Sequence, residues 1–138
     1  MTPIHGMLSV EELREAALQG EIGTVVMAFP DLYGRLLGKR MTARFFLDQA
    51  AEEGMHVCDY LLACDMEMDP VPGYRFANWE EGYGDLHAAP DLETLRRAAW
   101  LPKTAIVLCD LHKGGAHAPA EPSPRRILQR QLDQAAQM

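Results

Sequence analysis

The stretch IGTVVMAFPDLYGRLLGKRMT, Ile22 to Thr42, sets the architecture. Ile22 to Phe29 is apolar and rich in β-branched residues, the composition of a central strand. Pro30, Asp31 and Gly34 supply turn chemistry, and Arg35 to Thr42 returns as the second strand of a hairpin. On the N-terminal side, Ser9 followed by Glu12 forms a capping box, and Val10, Leu13, Ala17 and Leu18 recur at helical spacing. A helix over Ser9–Gln19, stopped by Gly20, is predicted. On the C-terminal side, Ala43 to Glu53 has helical composition and Gly54 closes it. Met55 to Cys64 reads as one strand, and Leu86–Ala88 and Leu92–Ala98 as two short ones. Thr104 to Leu111 (TAIVLCDL) is the clearest buried strand, and Lys113 to Pro122 reads as a Gly/Ala/Pro linker. Ser123, with Pro124 at the first helical position, opens a last helix whose apolar stripe is Ile127, Leu128, Gln131 and Leu132. This order predicts an α+β fold: a mostly antiparallel sheet with helices packed on one face.

The chain has 138 residues, enough for one domain with a single core. Apolar residues make up 48% and charged residues 24%, ordinary values for a globular chain and against disorder. Phosphate binding needs clustered Lys and Arg, and a net charge of −7 argues against such a surface, so no nucleic-acid partner is expected. The sequence shows no apolar run of membrane-spanning length, and its N-terminus turns acidic where a signal peptide needs its apolar segment. No membrane partner and a cytoplasmic location are the expectations. Cys58, Cys64 and Cys109 are odd in number and lack CxxC spacing, which argues against disulfides and zinc knuckles. All three are expected to be buried, reduced thiols.

The chemistry gathers after the third predicted strand. In CDYLLACDMEMDP, residues 58–70, Asp65, Glu67 and Asp69 place a carboxylate at every second position beyond an apolar run. Residues 65–84 are rich in Pro, Gly and aromatics, and a loop of that length inside one domain is usually functional or mobile. The acids are either solvated loop residues or aimed at a cation or an amine. Gly82-Tyr83-Gly84 lacks the Lys and helix start of a phosphate loop. His112 and His117 are two loose imidazoles, a poor metal site, and no metal ligands are assigned.

Three blocks carry a resemblance to a known family. DLYGRLLGKRM is similar to a first hairpin in which a short polar turn precedes Gly-Lys. GYGDLHAAPDLETLRRAAWLPKTAIVLCDL is similar to a block with an acid before an apolar residue, a Trp, and a final strand ending Cys-Asp. PSPRRILQRQL is similar to a linker and helix leading into a catalytic domain. Together they resemble the N-terminal, β-grasp domain of the glutamine synthetase family. Glutamine synthetases proper carry Asp-Gly-Ser-Ser where this chain has ACDMEMDP, so the resemblance leans toward members that use larger amines, such as γ-glutamylpolyamine and γ-glutamylethanolamide synthetases.

The resemblance implies a domain, 1–138, with a leading helix region at 1–21 and, at 113–138, a linker and helix toward a catalytic domain. It implies an excised or truncated part of a glutamate–ammonia or amine ligase, inactive alone. ATP and Mg or Mn are expected on the full-length enzyme and none on this chain. The implied partners are the C-terminal catalytic domain, adjacent subunits of a homo-oligomer, and ammonia or a small amine. Asp65 is the implied catalytic acid, with Asp59 an alternative match at the start of the run. Asp85 matches an acid that faces a neighbouring subunit's active site, or else caps a turn. Trp79 forms an aromatic wall for an amine by cation–π attraction, or covers its own core. Glu67, with Asp69, Glu80 and Glu81, suits a polycationic substrate or is a solvated face. Arg125 and Arg126 are expected to snorkel along the last helix. A reading of another class is a stand-alone β-grasp interaction module, its sheet edge pairing with another chain.

Overall fold

The computed structural model describes residues 4–114 and 118–138. The chain runs α1 (Val10–Leu18), β1 (Thr24–Pro30), β2 (Leu36–Thr42), α2 (Ala43–Phe45), a π-helical stretch (Phe46–Ala50), α3 (Ala51–Glu53), β3 (Met55–Cys58), a 3-10 turn (Asp59–Leu62), β4 (Asp85–Arg97), β5 (Thr104–Lys113), β6 (Ala118–Pro119) and α4 (Pro124–Ala135). The strands follow the order β2-β1-β5-β4-β3, with β6 on β5. β1 is parallel to β5, Thr24 opposite Thr104 through Ala28 opposite Leu108. β3 is antiparallel to β4, Met55 opposite Ala88 through Cys58 opposite Asp85, and β6 is antiparallel to β5. This is the expected α+β, β-grasp-like class: a mixed, mostly antiparallel sheet with helices.

One compact unit comprises the chain up to Ala28, Gly38–Gly54 and Ala89–Cys109. Its first helix is started by the expected capping box: Glu12 N donates to Ser9 Oγ (3.1 Å) and Ser9 N donates to the Glu12 carboxylate (2.7 Å). Leu13, Val25, Met27, Phe46, Leu95 and Val107 are fully buried, each worth roughly 1.5–3 kcal/mol of burial. Ala28, Ala98 and Ile106 form a second cluster with Val26 and Leu101. Val25 and Met27 thus alternate with Val26 and Ala28, and the parallel pair is apolar on both faces, as parallel strands generally are. Thr42 caps the following helix by accepting from Phe45 N, and Gly54 ends it at φ 70°, a conformation that costs glycine little.

The other unit comprises Phe29–Leu37, Met55–Ala88 and the chain from Asp110 onward. Four expectations are corrected here. Met55–Cys64 is not one strand: β3 stops at Cys58 and a 3-10 turn follows, while Leu62, Ala63 and Cys64 remain buried. A short apolar run fits either state, because periodicity cannot separate a buried strand from a buried turn. The expected short strands at Leu86–Ala88 and Leu92–Ala98 are one strand, β4, that runs through Pro90. The β3 ladder covers only Asp85–Ala88, so the missing N–H of Pro90 falls beyond it. Within the expected linker, Ala118–Pro119 pairs with β5. Cys58 is exposed rather than buried, because β3 alternates buried Met55 and Val57 with exposed His56 and Cys58. In α4 no residue is buried.

Candidate functional site

The polar side chains of interest lie in the second unit. At the hairpin turn Asp31 is buried, yet its carboxylate is fully engaged. Oδ1 accepts the amides of Tyr33 and Arg35, both at 2.9 Å, and Oδ2 accepts Arg35 Nε at 2.6 Å. Burial alone would raise its pKa. The hydrogen bonds from the Arg35 guanidinium and from the two amides outweigh that and hold the carboxyl below the usual range. The guanidinium has donors left, and they reach the carbonyls of Met66 (2.6 Å) and Asp65 (2.9 Å). Arg35 therefore ties the hairpin turn to the start of the long loop. Only a planar fork can serve these three groups at once.

Asp65 is the residue the loop folds around. Its Oδ1 accepts the amides of Glu67 (2.9 Å) and Asp69 (3.0 Å), and its own N–H donates to Asp69 O (2.9 Å). This is an Asx-type turn, for which Asp is suited because its short side chain reaches its own backbone two residues on. The alternating acids lie round a turn, not in a row on a strand. Glu67 and Asp69 point to solvent, and Asp65 is half-buried. Cys64 bridges to Pro70, and Val71 N donates to Ala63 O (2.8 Å). Burial, followed by the charge of Asp65, raises the Cys64 pKa.

Asp59 opens the 3-10 turn and is 2% exposed. Its N–H donates to Gly84 O (2.9 Å), and its Oδ2 accepts Lys113 Nζ (3.1 Å). The same ammonium donates to the Phe76 carbonyl and lies 4.0 Å from the centroid of the Phe76 ring. Asp59 Oδ1 is buried and accepts no hydrogen bond. Carboxylate, carbonyl and aromatic face thus surround one primary ammonium, the combination that favours a desolvated cation. Sequence reasoning placed Lys113 in a linker and assigned it no role; its partner is 54 positions away, and no local signal pointed to it.

Beside this cradle, Tyr60 packs edge-on against Tyr83 (centroids 5.5 Å apart), and Tyr83 against Trp79 (6.2 Å). Trp79 is 81% exposed and covers no core. Glu80 and Glu81 flank it in solvent, their turn held by Asn78 Oδ1, which accepts Glu81 N (2.8 Å). Asp85 is exposed at the first position of β4, opposite Cys58, so the register brings it next to the neighbour of Asp59. Asp65 and Glu67 form a separate group: among the described residues no hydrogen bond or ion pair joins them to Asp59. Arg125 pairs with Asp110 (3.0 Å) instead of only lying along α4. His56, His87 and His112 lie in a row with their rings tilted to one another, centroids 5.7 and 6.3 Å apart. His117 lies outside the described residues. Among those described, no three His, Cys, Asp or Glu side chains are grouped to hold a metal ion, and no helix is long and apolar enough to cross a membrane.

No family model matches the chain. It is 48% identical over 129 residues to the gamma-glutamylethanolamide synthetase GlnA4 of Streptomyces coelicolor, covering 94% of this chain. It is 34% identical over 128 residues to the glutamate–isopropylamine ligase of a Pseudomonas species, covering 92% of this chain. The chain is homologous to the N-terminal domain of the glutamine synthetase family. It spans 28% of the length of each of these relatives. Two solved structures superpose on this glutamine-synthetase-type domain. One, described as a GmaS/ADP complex, has a TM-score of 0.65 and 27% identity over 90% of this chain and 25% of its own. Another, GmaS without ligand, has a TM-score of 0.59 and 26% identity over 83% of this chain and 23% of its own.

Proposed function

We propose that this chain is the amine-side domain of a glutamine-synthetase-like ligase that uses ATP to join glutamate to a small primary amine. The observation that carries this reading is the Asp59 cradle, a buried carboxylate that already holds a primary ammonium against a carbonyl and an aromatic ring. It occurs in a chain whose relatives are named for an ethanolamide synthetase and an isopropylamine ligase.

The chemistry follows from what an amine needs. At neutral pH it arrives as a cation and has no lone pair to give. A carboxylate attracts the cation, and can accept the proton that the nitrogen must lose. The freed lone pair then attacks the γ-carbonyl carbon of γ-glutamyl phosphate, and phosphate leaves. In this reading Asp59 seats the cation, and Asp85, at the adjoining strand end, or Asp65 takes the proton. Glu67 extends the anionic rim, and Trp79 offers a ring face to the cation on its way in. ATP and Mg or Mn bind to a catalytic domain. That domain, and neighbouring copies in a homo-oligomer, are the partners, and the chain alone is inactive. A cytoplasmic ligase fits the same picture.

The test is a chimera in which residues 1–138 replace the matching segment of the Streptomyces coelicolor enzyme. The expected result is amine-dependent phosphate release from ATP and glutamate, lost in an Asp59→Asn chimera. A folded, assembled chimera with no activity on ammonia, ethanolamine or isopropylamine would overturn the reading. A second reading, an interaction module without ligase chemistry, is favoured by the exposed Ile127, Leu128 and Leu132 of α4. It predicts self-association or partner capture with an inactive chimera.

A further inference from the structure

The ammonium in the Asp59 cradle belongs to the chain itself. We propose that Lys113 is a displaceable internal occupant of a primary-ammonium site, and that an incoming amine must compete with it. The inference rests on the function proposed above for its consequence, but its physical core stands on three observations. First, the cradle is built for a primary ammonium: Asp59 Oδ2 at 3.1 Å, the Phe76 carbonyl, and the Phe76 ring at 4.0 Å. Second, the carboxylate is 3% exposed while the Lys113 side chain is 39% exposed, so the lysine can leave for water and the acid cannot. Third, Lys113 leaves the acid half-satisfied. Asp59 Oδ1 is buried without a hydrogen-bond donor, and a buried charge with an unmatched oxygen is costly. A small ammonium carries three N–H donors and no tether. Free to turn in the cradle, it can serve both oxygens, which the strand-anchored Lys113 does not.

The proposal separates Lys113 from a plain structural ion pair. A pin is needed in place for the domain to work, and its removal harms everything. A competitor is needed only while the site is otherwise empty, and its removal improves affinity for the amine. If the lysine fills the cradle nine-tenths of the time, apparent affinity is weakened about tenfold.

Two measurements test this. In the first, Lys113→Ala vacates the cradle in the chain itself, and thermal unfolding is followed in methylammonium chloride against tetramethylammonium chloride at equal ionic strength. Methylammonium is expected to raise Tm by about 4 °C or more, since a ligand for the folded state stabilises it. Tetramethylammonium, which has no N–H and keeps only the attraction to the Phe76 ring, is expected to raise it far less, and Asp59→Asn in the same background is expected to abolish the gain. Equal Tm values in the two salts would overturn the proposal. Should Lys113→Ala not fold, refolding yield from urea in the two salts reads the same question: selective rescue by methylammonium supports the site, and equal yields refute it. In the second, Lys113→Gln is placed in the chimera. A competitor predicts KM for the amine lowered about tenfold with kcat nearly kept. A raised KM with a lowered kcat marks a structural pin and refutes competition. Failure of selective rescue with an active chimera sinks the occupant and spares the ligase reading. Rescue with an inactive chimera does the reverse.

Discussion

Gly38 lies against the backbone of Met27 so closely that a Cβ at position 38 would sit 1.9 Å from the Met27 carbonyl oxygen and 2.8 Å from Ala28 Cα. Both obstacles are main chain in a buried strand, so neither can step aside. Gly38→Ala is expected to cost about 3 kcal/mol or more, at the upper end of what overpacking does. Chemical denaturation checks it. A variant as stable as the parent would show that β1 and β2 part easily at this point. The Gly of the Gly-Lys pair is thus explained by contact distance, not by a turn.

Arg35 holds Asp31, Asp65 and Met66 with one planar group. Arg35→Lys keeps the charge and loses the fork. We expect about 1–2 kcal/mol of destabilisation and markedly faster proteolytic nicking within residues 65–84. Limited proteolysis followed by mass analysis reads the site of the first cut. Unchanged cutting would mean the loop is held by its own turns alone.

Asp31 makes stability depend on acid. Its folded pKa lies below its unfolded one, near 3.9, so its contribution is complete above the unfolded value and is lost as pH falls through the folded value. Asp31→Asn is expected to cost about 2 kcal/mol at pH 7 and progressively less below pH about 4. Urea midpoints of the two proteins across that range provide the check. A gap that stays constant with pH would show that the carboxylate charge is irrelevant.

The cysteines should divide by exposure. Cys58 is exposed, whereas Cys64 and Cys109 are buried. A thiol reagent added to the native chain is expected to label Cys58 quickly and the other two only on unfolding. Burial, and next the nearby Asp65, keep the Cys64 thiol protonated in the fold. The unfolded chain therefore ionises first, and this residue's share of stability declines as pH rises past about 8.5. Rapid labelling of Cys64 at neutral pH would contradict the packing around Ala63 and Val71.

The hairpin and the first helix were legible because their signals are local: β-branched runs, turn residues and a capping box. β5 was legible because TAIVLCDL is apolar but for Thr104 and Asp110. The path of residues 59–64 was not, since DYLLAC offers the same apolar surface whether extended or coiled. The acids were visible, but their settings were not. Asp65 differs from Asp59 by burial and partners, and both depend on residues far along the chain: Arg35 for the loop, Lys113 for the cradle. Trp79 was read as a wall or a cover, and its 81% exposure excludes the cover. No sequence pattern announces that a lysine at the end of one strand will neutralise an aspartate after another.

The last helix has twelve residues, none buried. Helices of that length are marginal in water on their own. Its ties outside its own backbone include the Arg125–Asp110 and Arg130–Glu121 pairs, and the second of these is exposed on both sides. Pairs of that kind weaken as salt rises. The amide protons of α4 should consequently exchange with deuterated solvent long before those of β1 and β5, and sooner still in concentrated salt. Ile127, Leu128 and Leu132 give this segment an apolar stripe that its own fold leaves exposed.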